Sequence, residues 1–234
     1  MSLSLDIAQP SPVAPGRSAD RLAGKIRLAF IMSATHSGST LLAMQLARQQ
    51  GVCSVGELSG TRHRARPGYR CSCGAELVDC DFWRRVSAAM ARRGFSFSAT
   101  TAETDVRNAP SPYARRLLRP MHRGPFLELV RDVALQVSPA ARDYLRRHVQ
   151  LKTALAESVL ECSGDSVLVD SSKLGVQLKY HLRNPRLDVK VLWLVRDGRA
   201  VSCSLMRTQK ATMSEAAYEW RRFYEEADAI VRRL

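Results

Sequence analysis

Two hundred and thirty-four residues, 45% hydrophobic and 25% charged, have the length and composition of one globular domain able to bury a core. No run approaches the roughly 18 apolar residues of a membrane helix, and the N-terminus lacks the continuous apolar centre of a signal peptide, so a cytoplasmic protein is expected. With 36 Lys and Arg against 22 Asp and Glu, the formal charge of +14 points to an anionic partner, a class that includes nucleic acid, phosphorylated ligands and acidic acceptors. Thirty of the 36 cations are Arg, the side chain suited to bidentate contact with phosphate or sulfate, although codon usage also yields Arg-rich and Ala-rich chains.

Residues 1–24 carry Pro10, Pro12, Pro15 and Gly16 among small polar residues without periodicity and read as a disordered leader. The folded domain, residues 25–234, opens on an apolar strand, Lys25 to Met32. A small-residue turn follows, and then Leu41 to Gln50 reads as a helix. Between Thr61 and Arg123 there are 13 Arg, no Lys and five acidic residues. Helices are expected at Phe82 to Arg93, Pro112 to Arg119, Pro125 to Gln136 and Pro139 to Glu161. The last has Ser138 as N-cap, Pro139 at its first position and Gly164 just beyond its end. Residues 61–164 thus read as an Arg-rich helical insertion. Strand Ser166 to Asp170, helix Val176 to Arg183, strand Val189 to Val195 and helices Arg199 to Met206 and Ser214 to Leu234 complete the chain. Apolar strands separated by helices specify an α/β fold with a parallel sheet covered on both faces.

The strongest local motif is Ser33-Ala34-Thr35-His36-Ser37-Gly38-Ser39-Thr40, between a strand and a helix. Backbone amides at such a turn, with the helix N-terminus behind them, form an anion cradle, and Ser37, Ser39 and Thr40 offer hydroxyls. A nucleoside triphosphatase would carry Gly-x-x-x-x-Gly-Lys-Ser/Thr; here Ser33 holds the first Gly position and Ser39 the Lys position, which disfavours triphosphate hydrolysis. A second motif, Arg196-Asp197-Gly198-Arg199, follows the strand ending at Val195, with Ser204 eight residues beyond Arg196. Arg196 would enter the crevice at the carboxyl ends of the strands, where open sheets bind ligands.

Together these motifs resemble the sulfotransferases that use 3′-phosphoadenosine 5′-phosphosulfate. Ser37-Gly38-Ser39-Thr40 is similar to their 5′-phosphosulfate loop, and Arg196 with Ser204 to their 3′-phosphate site. Between them, Val169-Asp170-Ser171-Ser172-Lys173 resembles a strand-end segment of bacterial members. The resemblance implies a P-loop NTPase-like sheet, this nucleotide as co-substrate bound by Thr35, His36, Ser37, Gly38, Ser39, Thr40, Arg196 and Ser204, no metal, and no nucleic-acid partner. Sulfonyl transfer needs cations where charge develops and a base for the acceptor proton. The family places Lys or Arg before Ser-Gly, whereas this chain has His36, which serves that role as imidazolium. Lys173 is the remaining cation. Glu57, in Val55-Gly56-Glu57-Leu58 after the first helix, matches a catalytic Glu of family members with a similar loop, with Asp170 as its rival.

Arg62, Arg64, Arg66 and Arg70 form either a solvated face or an attraction for an anionic acceptor, and Tyr69, Phe82 and Trp83 are expected to anchor the insertion. Cys53, Cys162 and Cys203 stand singly. Cys71, Cys73 and Cys80 cluster, open to three readings: a structural loop or disulfide, a metal site with His63 as fourth ligand, or an acceptor contact. Family members continue past the last helix, so the chain resembles a shortened or truncated one. The helix's apolar Tyr218, Trp220, Phe223 and Ile230 then need cover, which a homodimer would supply. A P-loop kinase, with a loop Lys and Mg²⁺, and a non-catalytic nucleic-acid-binding protein are the alternatives.

Overall fold

The computed structural model describes residues 24–59, 68–119 and 124–232. Residues 1–23 of the leader, with Arg62, His63, Arg64 and Arg66, therefore lie outside the described residues. Four strands, β1 (Ile26–Met32), β2 (Val52–Ser54), β3 (Val167–Asp170) and β4 (Leu187–Trp193), form one all-parallel sheet in the order β2-β3-β1-β4. The helices are α1 (Ser39–Leu46), α2 (Asp81–Arg92), α3 (Pro112–Leu118), α4 (Pro125–Val137), α5 (Pro139–Ser163), α6 (Gly175–Leu182), α7 (Gly198–Gln209) and α8 (Met213–Val231). Helices α2 to α5 occupy the chain between β2 and β3.

Alternation along β1 decides what each face buries. On one face, Ile26 and Leu28, with Leu168, meet Trp83, Val86 and Met90 of α2 and Leu155 and Val159 of α5. Further along it, Phe30 and Met32 meet Leu178 of α6 and Ala227 and Ile230 of α8. On the opposite face Ile31 and Val169 pack on Ala43 of α1. Both faces carry helices, unequally.

Local chemistry sets the helix limits. The Ser138 side chain accepts from the Ala141 amide and caps α5, Pro139 occupies its first turn, and the Gly164 amide closes it on Leu160 O. Helix α1 stops four residues short of Gln50, because the amides of Arg48 and Gln49 turn to carbonyls only three residues back before the chain reverses into β2. Strand β4 lies two residues earlier than expected: its register pairs Leu187 with Ile26 and Trp193 with Met32, leaving Val195 55% exposed beyond the ladder.

The final helix corrects an expectation. Its apolar face is already covered: Trp220 and Ala216 pack with Val201 and Leu205 of α7, and Phe223, Ala227 and Ile230 pack on β1 and α6. Tyr218 instead stands 54% exposed, so α8 needs no second subunit. Tyr69 is 44% exposed, so of the three expected anchors only Trp83 is fully in the core, with Phe82 packed against it. Of the three cysteines that stand singly, Cys203 is exposed on α7, and Cys53 and Cys162 are half-buried. No helix among the described residues is long and apolar enough to cross a membrane.

Candidate functional site

The strand order fixes where a ligand crevice can open. The connection from β1 runs to β2 on one side, and that from β3 runs to β4 on the other, so the adjacent carboxyl ends of β1 and β3 form the switch point of the sheet. A cleft of about 440 Å³ opens there. Ser33 and Thr35 after β1 and Ser172 and Lys173 after β3 line it, with Glu57 beyond β2 and Arg107 from the insertion.

The β1–α1 loop borders this cleft. His36 (φ 61°) and Gly38 (φ 92°, ψ 13°) both adopt the left-handed conformation, a backbone in which successive amides turn to one side. A Cβ on Gly38 would meet nothing within 4 Å, so its φ rather than packing requires glycine. Gly38 has no side chain to cap α1, and the first turn holds no acidic residue, so the leading amides face outward without an intrahelical acceptor. The buried Ser33 hydroxyl also has no hydrogen-bond partner among the described residues. An orphaned hydroxyl, open helix amides and a left-handed glycine together fit an anion.

The distant second motif meets this loop directly. Arg196 Nη1 donates to His36 O at 2.9 Å, although 160 residues separate them. Thr208, near the end of α7, donates from Oγ1 to Ser204 O at 2.8 Å, and His36 Nε2 lies 3.2 Å from the same oxygen. Helix α8 clamps both segments: Trp220 Nε1 donates to Arg196 O at 3.1 Å, and Tyr224 Oη donates to Leu194 O at 2.8 Å. Tyr224 Oη also accepts the Ala34 amide at 3.4 Å, and the Ser37 hydroxyl donates to it at 3.4 Å. Ser37 thus faces inward and Ser39 is buried, leaving Thr35 and Thr40 as the loop's exposed hydroxyls.

Glu57 and Lys173 come together as an ion pair, Nζ to Oε1, at the mouth of the cleft. Lys173 takes a left-handed φ of 61°, an uncommon conformation for a residue with a Cβ. Asp170 holds the two loops in place. It is fully buried, and its Oδ1 accepts the amides of Leu58 at 3.3 Å and Ser172 at 2.9 Å, together with the Ser172 hydroxyl. Burial pushes its carboxyl up, but His181, Lys152 and Ser172 outweigh that and leave it below its ordinary range. So enclosed, Asp170 cannot meet an acceptor, which removes it as a rival base and makes it a positioning residue.

A polar network supports this floor. Lys152 Nζ donates to Ser59 Oγ at 2.9 Å, and the Ser59 amide donates to Ser172 Oγ at 3.0 Å. The Gln177 amide bridges His148 Nε2 and His181 Nε2, each at 3.2 Å. Neither this network, the α8 clamp nor Thr208 was identified from sequence. His148 with Lys152, Gln177 with His181 and Trp220 with Tyr224 are nevertheless spaced i, i+4, which places each pair on one helix face. Arg70 does not face the cleft; its Nη1 donates to Gly74 O at 2.8 Å within a hairpin. Arg119 and Arg222 line the cleft instead, together with Arg107, whose guanidinium forms a two-point contact with Asp105 at 3.0 and 2.7 Å. Cys71, Cys73 and Cys80 converge elsewhere, their sulfurs all within 4.8 Å of one another.

Comparison with protein-family models, curated proteins and solved structures finds no match for this chain in any of the three.

Proposed function

We propose that the chain is a sulfotransferase that moves a sulfonyl group from 3′-phosphoadenosine 5′-phosphosulfate to a hydroxyl or amine of an acceptor held in the cleft. The observation that carries this reading is the joining of the two anion-binding motifs through Arg196 and His36 beside the switch point of a parallel sheet. The absence of a loop lysine supports a sulfonyl donor over a triphosphate.

In this reading the amides at the start of α1 and the Thr40 hydroxyl hold the 5′-phosphosulfate, and Arg196 and Ser204 hold the 3′-phosphate. The bond between sulfur and the bridging oxygen breaks, and its electron pair leaves with adenosine 3′,5′-bisphosphate. The acceptor oxygen or nitrogen forms the new bond to sulfur and gives its proton to Glu57. The His36 ring donates an N–H toward the leaving oxygen, and Lys173, beside Glu57, neutralises charge on the group in flight. Arg107, Arg119 and Arg222 line the acceptor side together with Glu57, Glu103 and Asp105, with Arg107 tied to Asp105 and Arg222 to Glu226, a charged lining suited to a polar acceptor.

Isothermal titration separates this from the alternatives. Adenosine 3′,5′-bisphosphate is expected to bind without Mg²⁺ and more tightly than ATP with Mg²⁺. A preference for ATP with Mg²⁺ would indicate a kinase, and binding of duplex DNA or RNA with no nucleotide competition would indicate a nucleic-acid-binding protein.

A further inference from the structure

Residues 69–80 build a sulfur-lined corner that the transfer site does not use. Arg70 and Glu76 pair antiparallel, Leu77 N–H donates to Tyr69 O at 3.0 Å, and Cys71 N–H donates to Ala75 O at 2.9 Å. Inside this ladder the Gly74 amide returns to Cys71 O at 2.9 Å, and a φ of 89° at Gly74 closes the turn, a backbone only glycine adopts without strain. Cys71 and Cys73 therefore flank a hairpin tip. A 3₁₀ turn over Leu77–Asp79 then delivers Cys80, 1% exposed, at the N-cap of α2.

We propose that Cys71, Cys73 and Cys80 bind one zinc ion as three thiolates, with the fourth coordination position open to solvent on the Cys73 side. Zinc bound to sulfur at about 2.3 Å in a tetrahedron places neighbouring sulfurs about 3.8 Å apart. Cys73 Sγ and Cys80 Sγ stand 3.7 Å apart, and no pair among the three exceeds 4.8 Å. Small side-chain adjustments close the set around one ion. Among the described residues the cluster is all soft sulfur, with no carboxylate or imidazole, a set that selects a thiophilic cation over magnesium or calcium.

The consequence is structural. Cys80 and Leu77 belong to the core around Trp83 and Val86, whereas Cys73 is exposed, so the ion ties an exposed hairpin to the core of the insertion.

The test uses the full chain, purified under reductant and dialysed against a trace of zinc. Elemental analysis is expected to give one zinc per chain. Cobalt(II) substitution is expected to show tetrahedral d–d bands with a thiolate-to-metal charge-transfer band scaled to three thiolates. Cys73→Ser, at an exposed position that leaves the core intact, is expected to weaken zinc binding about 100-fold or more. Cys203→Ser, a lone exposed cysteine on α7, should change nothing. Chelation should lower the melting temperature of the wild type and leave that of Cys73→Ser unmoved. A reduced, folded chain that takes up no zinc overturns the proposal, as does undiminished binding by Cys73→Ser. Recovery of an anaerobically purified chain with Cys73 and Cys80 already joined, two daltons lighter and resistant to alkylation, overturns it in favour of a disulfide.

Discussion

Arg196 donates to the carbonyl oxygen of His36 at 2.9 Å, so the guanidinium that would meet one end of a nucleotide is braced against the loop that would meet the other. Charge-assisted contacts of this kind contribute roughly 1.5–3 kcal/mol each. Arg196→Ala is therefore expected to weaken adenosine 3′,5′-bisphosphate binding by about 10- to 150-fold, with a smaller loss for Ser204→Ala. Titration calorimetry on both folded variants checks this. Unchanged affinity in Arg196→Ala would remove the 3′-phosphate assignment.

His36 is held in a left-handed turn with Nε2 3.2 Å from Thr208 Oγ1. A donor placed in advance acts mainly on the transition state, so His36→Ala should lower kcat more than it raises KM, and His36→Lys should retain turnover. Thr208→Val leaves the ring but removes its oxygen partner. A several-fold loss of kcat with unaltered nucleotide affinity would mark Thr208 as a positioning residue, and normal kinetics in all three variants would reduce His36 to a turn residue.

Glu57 and Lys173 form an ion pair whose carboxylate is 46% exposed. Solvent screening limits the stabilisation such a pair gives to about 1 kcal/mol or less, so Glu57→Gln should barely move the melting temperature. As the proton acceptor, the same change should cost about 10² to 10⁴ in kcat. A variant that melts lower yet turns over normally would assign the pair to structure alone.

β1, β3 and β4 were legible because each is a short apolar run, and α3 and α5 because each begins on a recognisable local signal, Ser111 before Pro112 and Ser138 before Pro139; β2, three half-buried residues, carries no such mark. Ends were less legible. The last ladder bond of β4 depends on where Met32 stops across the sheet, information absent from Val189 to Val195 itself. The loop and Arg196 could be placed from sequence because each follows a strand at its carboxyl end. Tyr224, Trp220 and Thr208 could not, since these partners lie 24 to 190 residues away and hydroxyl and indole groups on an amphipathic helix carry no mark of which group they will meet. The apolar face of α8 was visible, but its cover was not. Conversely, Phe126, Leu129, Val133 and Val137 on α4 are exposed where an amphipathic reading would bury them.

The α8 clamp makes a stability prediction. A Cβ at Gly198 would approach the Trp220 ring at 3.0 to 3.2 Å, a contact that forces the indole to shift. Trp220 Nε1 would then lose Arg196 O. Gly198→Ala is expected to cost about 1–3 kcal/mol through overpacking and to weaken nucleotide binding by displacing the Arg196 loop. Urea unfolding together with calorimetry tests both halves. Sedimentation of the wild type should report a monomer whose α8 amides resist hydrogen exchange, since its apolar face is covered within one chain.

The buried histidines predict how stability responds to acid. Burial, together with the charge of Lys152, pushes His148 down to about 3, although its contact with Gln177 acts the other way. Burial likewise lowers His181, against the pull of Asp170. An unfolded histidine titrates near 6.5, so between about 3 and 6.5 the unfolded chain binds a proton at His148 that the folded chain refuses. Stability is therefore complete above about pH 6.5 and falls as pH drops, by about 1.4 kcal/mol per pH unit for His148 alone. Asp170, lowered by its partners, acts in the same direction once the pH falls through the carboxylate range. Urea midpoints should change little between pH 8 and 7 and fall steeply between pH 6 and 5. His148→Gln, which keeps a side-chain amide able to meet Gln177, should start from a lower midpoint and lose less over the same interval. An unchanged slope in that variant would shift the acid sensitivity to His181 and Asp170, and a wild type equally stable at pH 7 and 5 would show that the floor beneath the cleft opens to admit the proton.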